Sequence, residues 1–83
     1  MKYKLTKKER QLCEFLETGT ITRDVYGRIF WHREKPCKGT HIWCSMASDV
    51  NLDIFGKVNF DFIQWTDQEP WAVEDLLSLG VEE

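Results

Sequence analysis

The sequence predicts a small α+β domain: an N-terminal helix, an antiparallel sheet of three or four strands, and a C-terminal helix. Three observations predict this class. A capping motif precedes an apolar stripe near the start, β-forming runs flank a turn signal in the middle, and an alternating apolar run precedes an acidic, proline-containing segment near the end. We expect residues 1–83 to form a single compact domain with both helices on one face of the sheet.

The first helix is expected over residues 6–17. In the run that begins at Thr6, the Thr6 hydroxyl can accept from the Glu9 N–H while the Glu9 carboxylate reaches back, as in a capping box. Gly19 is a natural helix stop. The apolar stripe at helical spacing consists of Leu12, Phe15 and Leu16.

The strands are expected in three places. Residues 21–32 predict a hairpin, because Asp24 and Gly27 suit a tight turn and the second arm is rich in β-formers. A polar connection over residues 34–39 leads to a short strand over residues 40–45. The clearest strand is expected over residues 57–65, where apolar residues alternate: Val58, Phe60 and Phe62.

The last helix is expected to open within residues 66–70. Pro70 suits a first helical turn, and the acidic residues around it suit a helix N-terminus. Gly80 is expected to end the helix. The residues expected to face the core are Val73, Leu76 and Leu77.

Composition indicates a globular cytoplasmic protein. The chain is 42% hydrophobic and 30% charged, which excludes a disordered class. Its apolar runs are too short for a membrane span, and its N-terminus has no apolar stretch typical of a signal peptide. In a reducing compartment, the three cysteines are expected to be free thiols or metal ligands.

A cluster of soft ligands predicts a structural zinc site. Cys37, His41 and Cys44 lie within eight residues, on a stretch that Pro36 and Gly39 allow to bend. Zinc takes four such ligands in a tetrahedron. The fourth is either Cys13 or His32, and Cys13 is preferred because it would tie the first helix to the central loop. The alternative is that Cys13 is a buried apolar residue and that no metal binds.

Charge divides the chain into two halves. Residues 1–40 hold ten Lys/Arg against five Asp/Glu, a net charge of +5, whereas residues 41–83 hold one Lys against nine Asp/Glu, a net charge of −8. Such asymmetry predicts a charged partner, although the two halves could instead neutralise each other. An acidic half could occupy a basic groove built for nucleic acid. The candidate partner-binding residues are Asp61, Asp67, Glu69, Glu74 and Asp75.

The aromatic residues leave two interpretations open. The aromatic residues of the hairpin, Trp31 and Phe30, are interleaved with Arg23, Arg28 and Arg33 and could stack bases. A small protein also needs bulky side chains for its core, and strand alternation favours that second interpretation. The sequence carries no H-E-x-x-H motif, no glycine-rich phosphate loop and no G-x-S-x-G motif, so an enzyme is not expected.

Several runs resemble a family of small phage proteins. They are Thr22-Arg23-Asp24-Val25-Tyr26-Gly27-Arg28, then Glu34-Lys35-Pro36-Cys37-Lys38, then Phe62-Ile63-Gln64-Trp65-Thr66-Asp67-Gln68-Glu69-Pro70-Trp71 with Asp75-Leu76-Leu77. About half the chain is similar to proteins of streptococcal and related phages and prophages that carry the pattern ARDKDG…KPxK…FIxWxDxEPW…LL. The W-x-D-x-E-P-W segment is the most specific part. The zinc prediction rests on this chain alone, because the family does not share Cys13, His41 and Cys44.

The resemblance implies a phage protein that acts inside a bacterial host. In size, acidity and context the chain is similar to type II-A anti-CRISPR proteins. The leading expectation is therefore a monomeric, stoichiometric inhibitor that binds a host CRISPR effector nuclease and blocks nucleic-acid loading, with no direct nucleic-acid or membrane contact. The alternatives are a small zinc-containing nucleic-acid-binding protein that uses the basic half, and a structural phage accessory protein.

Overall fold

The α+β class is confirmed in a computed structural model that describes residues 3–47, 49–56 and 58–82. Two α-helices, one short 3₁₀ helix and eight short strands are present in those ranges. In chain order they are β1 (Lys4–Leu5), α1 (Lys7–Leu16), β2 (Thr20–Arg23), β3 (Ile29–His32), β4 (Cys37–Lys38), β5 (Trp43–Cys44), β6 (Asp49–Asn51), the 3₁₀ helix (Leu52–Phe55), β7 (Trp71–Ala72), α2 (Val73–Leu77) and β8 (Gly80–Val81).

Helix α1 begins at the predicted capping box. The Thr6 hydroxyl accepts from the Glu9 N–H at 3.2 Å, and the Glu9 carboxylate accepts from the Thr6 N–H at 2.8 Å. The helix ends earlier than Gly19: Glu17 takes a positive φ of 65° and donates its N–H to the Cys13 carbonyl. Because that residue already turns the chain, the glycine is not the helix stop.

The central sheet has four strands in the order β6-β3-β2-β7, and all neighbours are antiparallel. The predicted hairpin is confirmed as β2 and β3, with Ile21 opposite Trp31. Its turn is shaped by the buried Asp24 carboxylate, which accepts from the N–H groups of Tyr26 and Arg28. One face of the sheet therefore carries Ile21 and Ile29, and the other carries Thr22 and His32.

Two smaller ladders complete the strands. β1 and β8 pair in parallel and bring residues near the two ends of the chain together. β4 and β5 form a second hairpin, in which Cys37 lies opposite Cys44 and Lys38 opposite Trp43. The strand expected over residues 40–45 is thus shorter, and its partner comes from the stretch expected to be a polar connection.

The prediction of a strand over residues 57–65 is wrong. Residues 58–65 form turns and irregular backbone, and residue 57 lies outside the described residues. Phe60 has a φ of 44°, which no strand residue adopts. The backbone here bonds to side chains rather than to another strand, since Glu9 accepts from its N–H groups and Arg23 donates to its carbonyls. Its apolar residues are nevertheless buried in the core: Val58, Phe60 and Ile63.

The last helix is shorter than expected. It begins at Val73 rather than near Pro70, because Trp71 and Ala72 first pair with β2. Gly80 lies in β8 and does not end the helix. The two helices share one core with the sheet; its residues include Leu12, Cys13, Ile21, Ile29, Val73 and Leu76.

Within the described ranges, neither helix has the length and apolar character of a membrane span.

Candidate partner-binding site at the acidic corner

An open groove lies where the chain turns from the irregular segment into β7 and α2. We call it the acidic corner; its lining residues are Asp67, Gln68, Glu69, Pro70, Trp71 and Asp75. Three of the five predicted partner-binding residues, Asp67, Glu69 and Asp75, therefore line one groove. The chain brings them together because a tight connection over residues 67–70 leads directly into the short strand and helix.

The remaining two predicted residues are placed differently. Glu74 is exposed in the first turn of α2, beside Asp75. Asp61 is exposed but lines another groove, which it shares with Lys4 and Glu82. Asp61 is thus not part of the acidic corner.

Asp67 shapes the corner as well as charging it. Its Oδ2 atom accepts from the Gln64 N–H at 2.9 Å and from the Trp71 indole Nε1–H at 3.0 Å. This carboxylate therefore fixes the turn and the position of the tryptophan. Glu69 and Asp75 are exposed and accept no hydrogen bond from the described residues. Glu69 makes only a surface pair with Lys35 at 3.6 Å, so both carboxylates remain accessible to a partner.

An aromatic cluster supports the wall of the groove. The Trp71 ring meets Phe62 edge-on, with ring centroids 5.0 Å apart, and Tyr3 stacks on Phe62 at 4.8 Å. Edge-to-face and offset contacts of this kind hold aromatic side chains in defined orientations. The tryptophan thus presents a fixed apolar surface among the carboxylates.

Lys38 holds the corner from the neighbouring hairpin. Its ammonium group donates to the Trp65 carbonyl at 2.5 Å and to the Asp67 carbonyl at 2.9 Å. It also lies 4.4 Å from the centroid of the Trp65 ring and 5.5 Å from that of Trp43. The hairpin of β4 and β5 is therefore coupled to the backbone beneath the groove.

The arginine side chains of the basic half reach the acidic half mainly by donating hydrogen bonds to its backbone carbonyl groups. Arg10 donates to the Leu77 carbonyl at 2.9 Å, and Arg23 donates to the Ile63 carbonyl at 2.7 Å. Among the described residues, one Lys–carboxylate ion pair joins the two halves of opposite net charge: Lys35 lies 3.6 Å from Glu69, and both side chains are more than two-thirds exposed. The buried His32 also contacts the Asp49 carboxylate, at 2.8 Å. Contact between the halves thus leaves most carboxylates without a cationic partner in the described chain.

The predicted zinc ligands are not gathered at one point. Cys37 and Cys44 are exposed free thiols that lie opposite each other in the ladder of β4 and β5, whereas Cys13 is buried in α1. His41 lies in the turn between β4 and β5, where its ring stacks on Tyr26 with centroids 6.1 Å apart. No three His, Cys, Asp or Glu side chains within the described ranges are arranged to hold a metal ion. Zinc stays a prediction that this structure does not support.

His32, the alternative zinc ligand, belongs to a buried polar network instead. Its Nε2 lies 2.7 Å from the Thr22 hydroxyl and its Nδ1 lies 2.8 Å from the Asp49 carboxylate. Both ring nitrogens therefore already have partners. Ser45 donates to the same Asp49 oxygen at 2.7 Å and extends the network.

This network has the order hydroxyl, imidazole, carboxylate that activates a nucleophile in some hydrolases. Here the imidazole is fully buried and Thr22 is 2% exposed, so a substrate cannot reach the hydroxyl in this arrangement. The geometry instead fixes β6 against β3 and β2. Sequence reasoning missed the network; its one signal was that polar Thr22 and His32 alternate with apolar residues in a hairpin.

A second charged surface lies at the tip of the β2–β3 hairpin. The Arg28 guanidinium lies 5.3 Å from the Tyr26 ring centroid and 5.6 Å from that of Phe30. Tyr26 is 66% exposed, and His41 stacks beside it. The Arg28 Nε also donates to the Asp24 carboxylate at 2.7 Å, so its charge is partly neutralised. The exposed aromatic ring beside a guanidinium is nevertheless an arrangement that can stack bases.

No protein-family model matches the chain, and searches of curated proteins and of solved structures also find no match.

Proposed function

We propose that the chain is a stoichiometric protein inhibitor whose acidic corner binds the basic surface that a host protein uses for nucleic acid. The observation that carries this proposal is a set of exposed carboxylates, most of which have no cationic partner among the described residues. Residues 58–82 contain six Asp/Glu and no Lys or Arg. Such a region attracts a basic partner and repels a phosphate backbone.

The corner combines the features of a binding centre. Trp71 and Pro70 supply rigid apolar surface, and tryptophan is enriched among residues that dominate binding energy. Glu69 and Asp75 surround them with charge that orients a basic partner and speeds association. Asp67 and Lys38 hold the groove in shape before a partner arrives, which lowers the entropic cost of binding.

The proposed target is a type II CRISPR effector nuclease in the cytoplasm of a bacterial host. This choice comes from the resemblance to streptococcal phage proteins and to type II-A anti-CRISPR proteins. Such a nuclease carries a positively charged channel for its guide–target heteroduplex. An acidic domain of this size seated in that channel would block nucleic-acid loading without any chemistry of its own.

Calorimetric titration of the purified chain into a type II effector without guide RNA tests the proposal. We expect one molecule bound per effector and an affinity that falls as salt rises, since the contact is between opposite charges. Preloading the effector with guide RNA should weaken binding. Absence of binding at low salt, or equal binding with guide RNA loaded, contradicts the proposal.

A second candidate function is nucleic-acid binding through the hairpin tip. The cation–π contacts of Arg28 with Tyr26 and Phe30 favour it. A binder of this type loses affinity steeply with salt, with a log–log slope near −0.9 per duplex phosphate contact. We expect no measurable binding to single-stranded or duplex nucleic acid near physiological salt; clear, salt-sensitive binding would reverse the ranking. Binding to neither class of partner would leave a structural accessory protein.

A further inference from the structure

Cys37 and Cys44 lie directly opposite each other in the ladder of β4 and β5. The Gly39 N–H donates to the Ile42 carbonyl at 2.8 Å, two positions along the same ladder. Because hydrogen-bonded pairs alternate along antiparallel strands, the two cysteines also form a hydrogen-bonded pair, with Cα atoms about 5.5 Å apart. A disulfide spans Cα separations of about 4.4–6.8 Å.

Both thiols face away from the core. Lys38 and Trp43 form the neighbouring pair of the ladder, and Trp43 is buried. Since side chains alternate between the two faces of a ladder, Cys37 and Cys44 lie on the opposite, outer face, and both are exposed. An oxidant in solution therefore reaches this pair directly.

The third thiol is different in kind. Cys13 belongs to α1, and its side chain is buried in the core. Burial, with a contribution from the neighbouring Glu9 carboxylate, raises the pKa of the Cys13 thiol to about 11. Cys13 is therefore both inaccessible and protonated near neutral pH. It serves as an internal control, a thiol that an oxidant in solution should leave unmodified.

We propose that Cys37 and Cys44 form a redox site, a dithiol that low-molecular-weight disulfides oxidise to an intramolecular disulfide. One cysteine thiolate attacks a sulfur of oxidised glutathione, so that a mixed disulfide forms and one glutathione thiolate leaves. The second cysteine thiolate then attacks the protein sulfur of the mixed disulfide and releases the second glutathione. The protein loses two electrons and two protons, and oxidised glutathione is reduced to two thiols.

The ladder geometry makes this crosslink reversible. Directly opposed Cβ atoms lie about 4.5–5.5 Å apart, whereas a disulfide brings them to about 3.8 Å, so closure pulls the strands together. Exposed and strained disulfides are the easily reduced ones. The crosslink would also stiffen the hairpin that carries Lys38, and thereby the carbonyls of Trp65 and Asp67 to which Lys38 donates.

The test is oxidation of the full chain with millimolar oxidised glutathione at neutral pH, followed by mass spectrometry. We expect the wild-type mass to fall by about 2 Da, with no glutathione retained, and to recover with excess reduced glutathione. Trypsin cleaves after Lys38 and separates the two cysteines, so a peptide pair joined through Cys37 and Cys44 identifies the bond. Amide exchange at Gly39 and Asp67 should slow at least about threefold on oxidation.

Matched variants make the result specific. Cys13→Ala should oxidise like the wild type, whereas Cys37→Ser and Cys44→Ser should each retain one glutathione and form no link. Wild-type protein that carries two glutathiones without a link, or that links only between molecules, would overturn the proposal. Stoichiometric zinc that protects both thiols from oxidation would overturn it in favour of a metal site. None of these readouts depends on the proposed inhibitor function.

Discussion

The Glu9 carboxylate accepts a hydrogen bond from the N–H of Phe60, which lies 51 positions further along the chain. The same oxygen accepts from the Asn59 N–H at 3.1 Å, while the other oxygen accepts from the Thr6 N–H at 2.8 Å. One buried side chain thus caps α1 and anchors the irregular segment in which Phe60 takes a positive φ. The acidic corner follows that segment directly.

Replacing Glu9 should destabilise the protein strongly. Glu9→Ala leaves three backbone N–H groups without their acceptor, and hydrogen bonds to a charged group each contribute about 1.5–3 kcal/mol. Because the variant also removes the cost of burying the Glu9 carboxylate, we expect a net fall in the free energy of unfolding of about 2–4 kcal/mol. Urea denaturation measures it, with the exposed Glu14→Ala as the control on the same helix. Equal midpoints for the two variants would refute the anchoring role of Glu9.

The buried network predicts unequal effects for the two histidines. His32→Ala opens a cavity and removes the hydrogen-bond partner that Thr22 and Asp49 share. The free energy of unfolding should fall by about 2–4 kcal/mol. His41→Ala removes an exposed ring and should change stability by about 0.5 kcal/mol or less. Thermal unfolding of both variants under one condition compares them. A larger loss for His41 would point to zinc binding through the turn.

The buried thiol predicts a loss of stability at alkaline pH. The pKa of Cys13 rises from its ordinary value of 9.0, which holds in the unfolded chain, to about 11 in the folded protein. Between these values the folded state holds a proton that the unfolded state has lost, so the free energy of unfolding falls as pH rises. Raising the pKa from 9.0 to about 11 corresponds to about 3 kcal/mol, most of which is lost between pH 9 and pH 11. Cys13→Ala should flatten this part of the curve; parallel curves for the two proteins would contradict the assignment.

Local signals predicted the parts of the fold that local interactions determine. The capping box at Thr6 and the turn at Asp24 each involve residues within a few positions of one another, and both are present as expected. The alternating residues 58–65 were misleading because burial there does not require a strand. Hydrogen bonds with the side chains of Glu9 and Arg23 satisfy the backbone of this segment. Both residues are distant in sequence, so no local sequence pattern predicts these bonds.

The candidate site was predictable in charge but not in shape. The acidic residues near Trp71 were expected around the start of the last helix, and three of the five candidate partner-binding residues do line one groove. The sequence did not reveal that Asp67 bonds to the Trp71 indole, or that Asp61 faces another groove. It also did not show that β4 pairs with β5, because two-residue strands leave almost no periodic signal.

Charge reversal at the acidic corner should weaken partner binding without unfolding the protein. Glu69 is exposed, and its ion pair with Lys35 is a surface pair worth about 0–1 kcal/mol. Glu69→Lys should lower affinity for the basic partner about tenfold, mainly through slower association at low salt. Asp53→Lys carries the same charge change at the far edge of the sheet and should leave affinity within about twofold. Equal losses for both variants would show that net charge alone drives binding.

The most direct test of the central claim is a titration of the purified chain into a fixed amount of type II effector, scored by cleavage of target DNA. The chain is added before guide RNA, with Glu69→Lys and Asp53→Lys measured alongside the wild type. The inhibitor account predicts that cleavage stops near one wild-type molecule per effector. Asp53→Lys should inhibit at the same ratio as the wild type, whereas about tenfold more Glu69→Lys protein should be required for the same inhibition. Unimpaired cleavage by effectors from several streptococcal hosts, at large excess of folded chain, would contradict it.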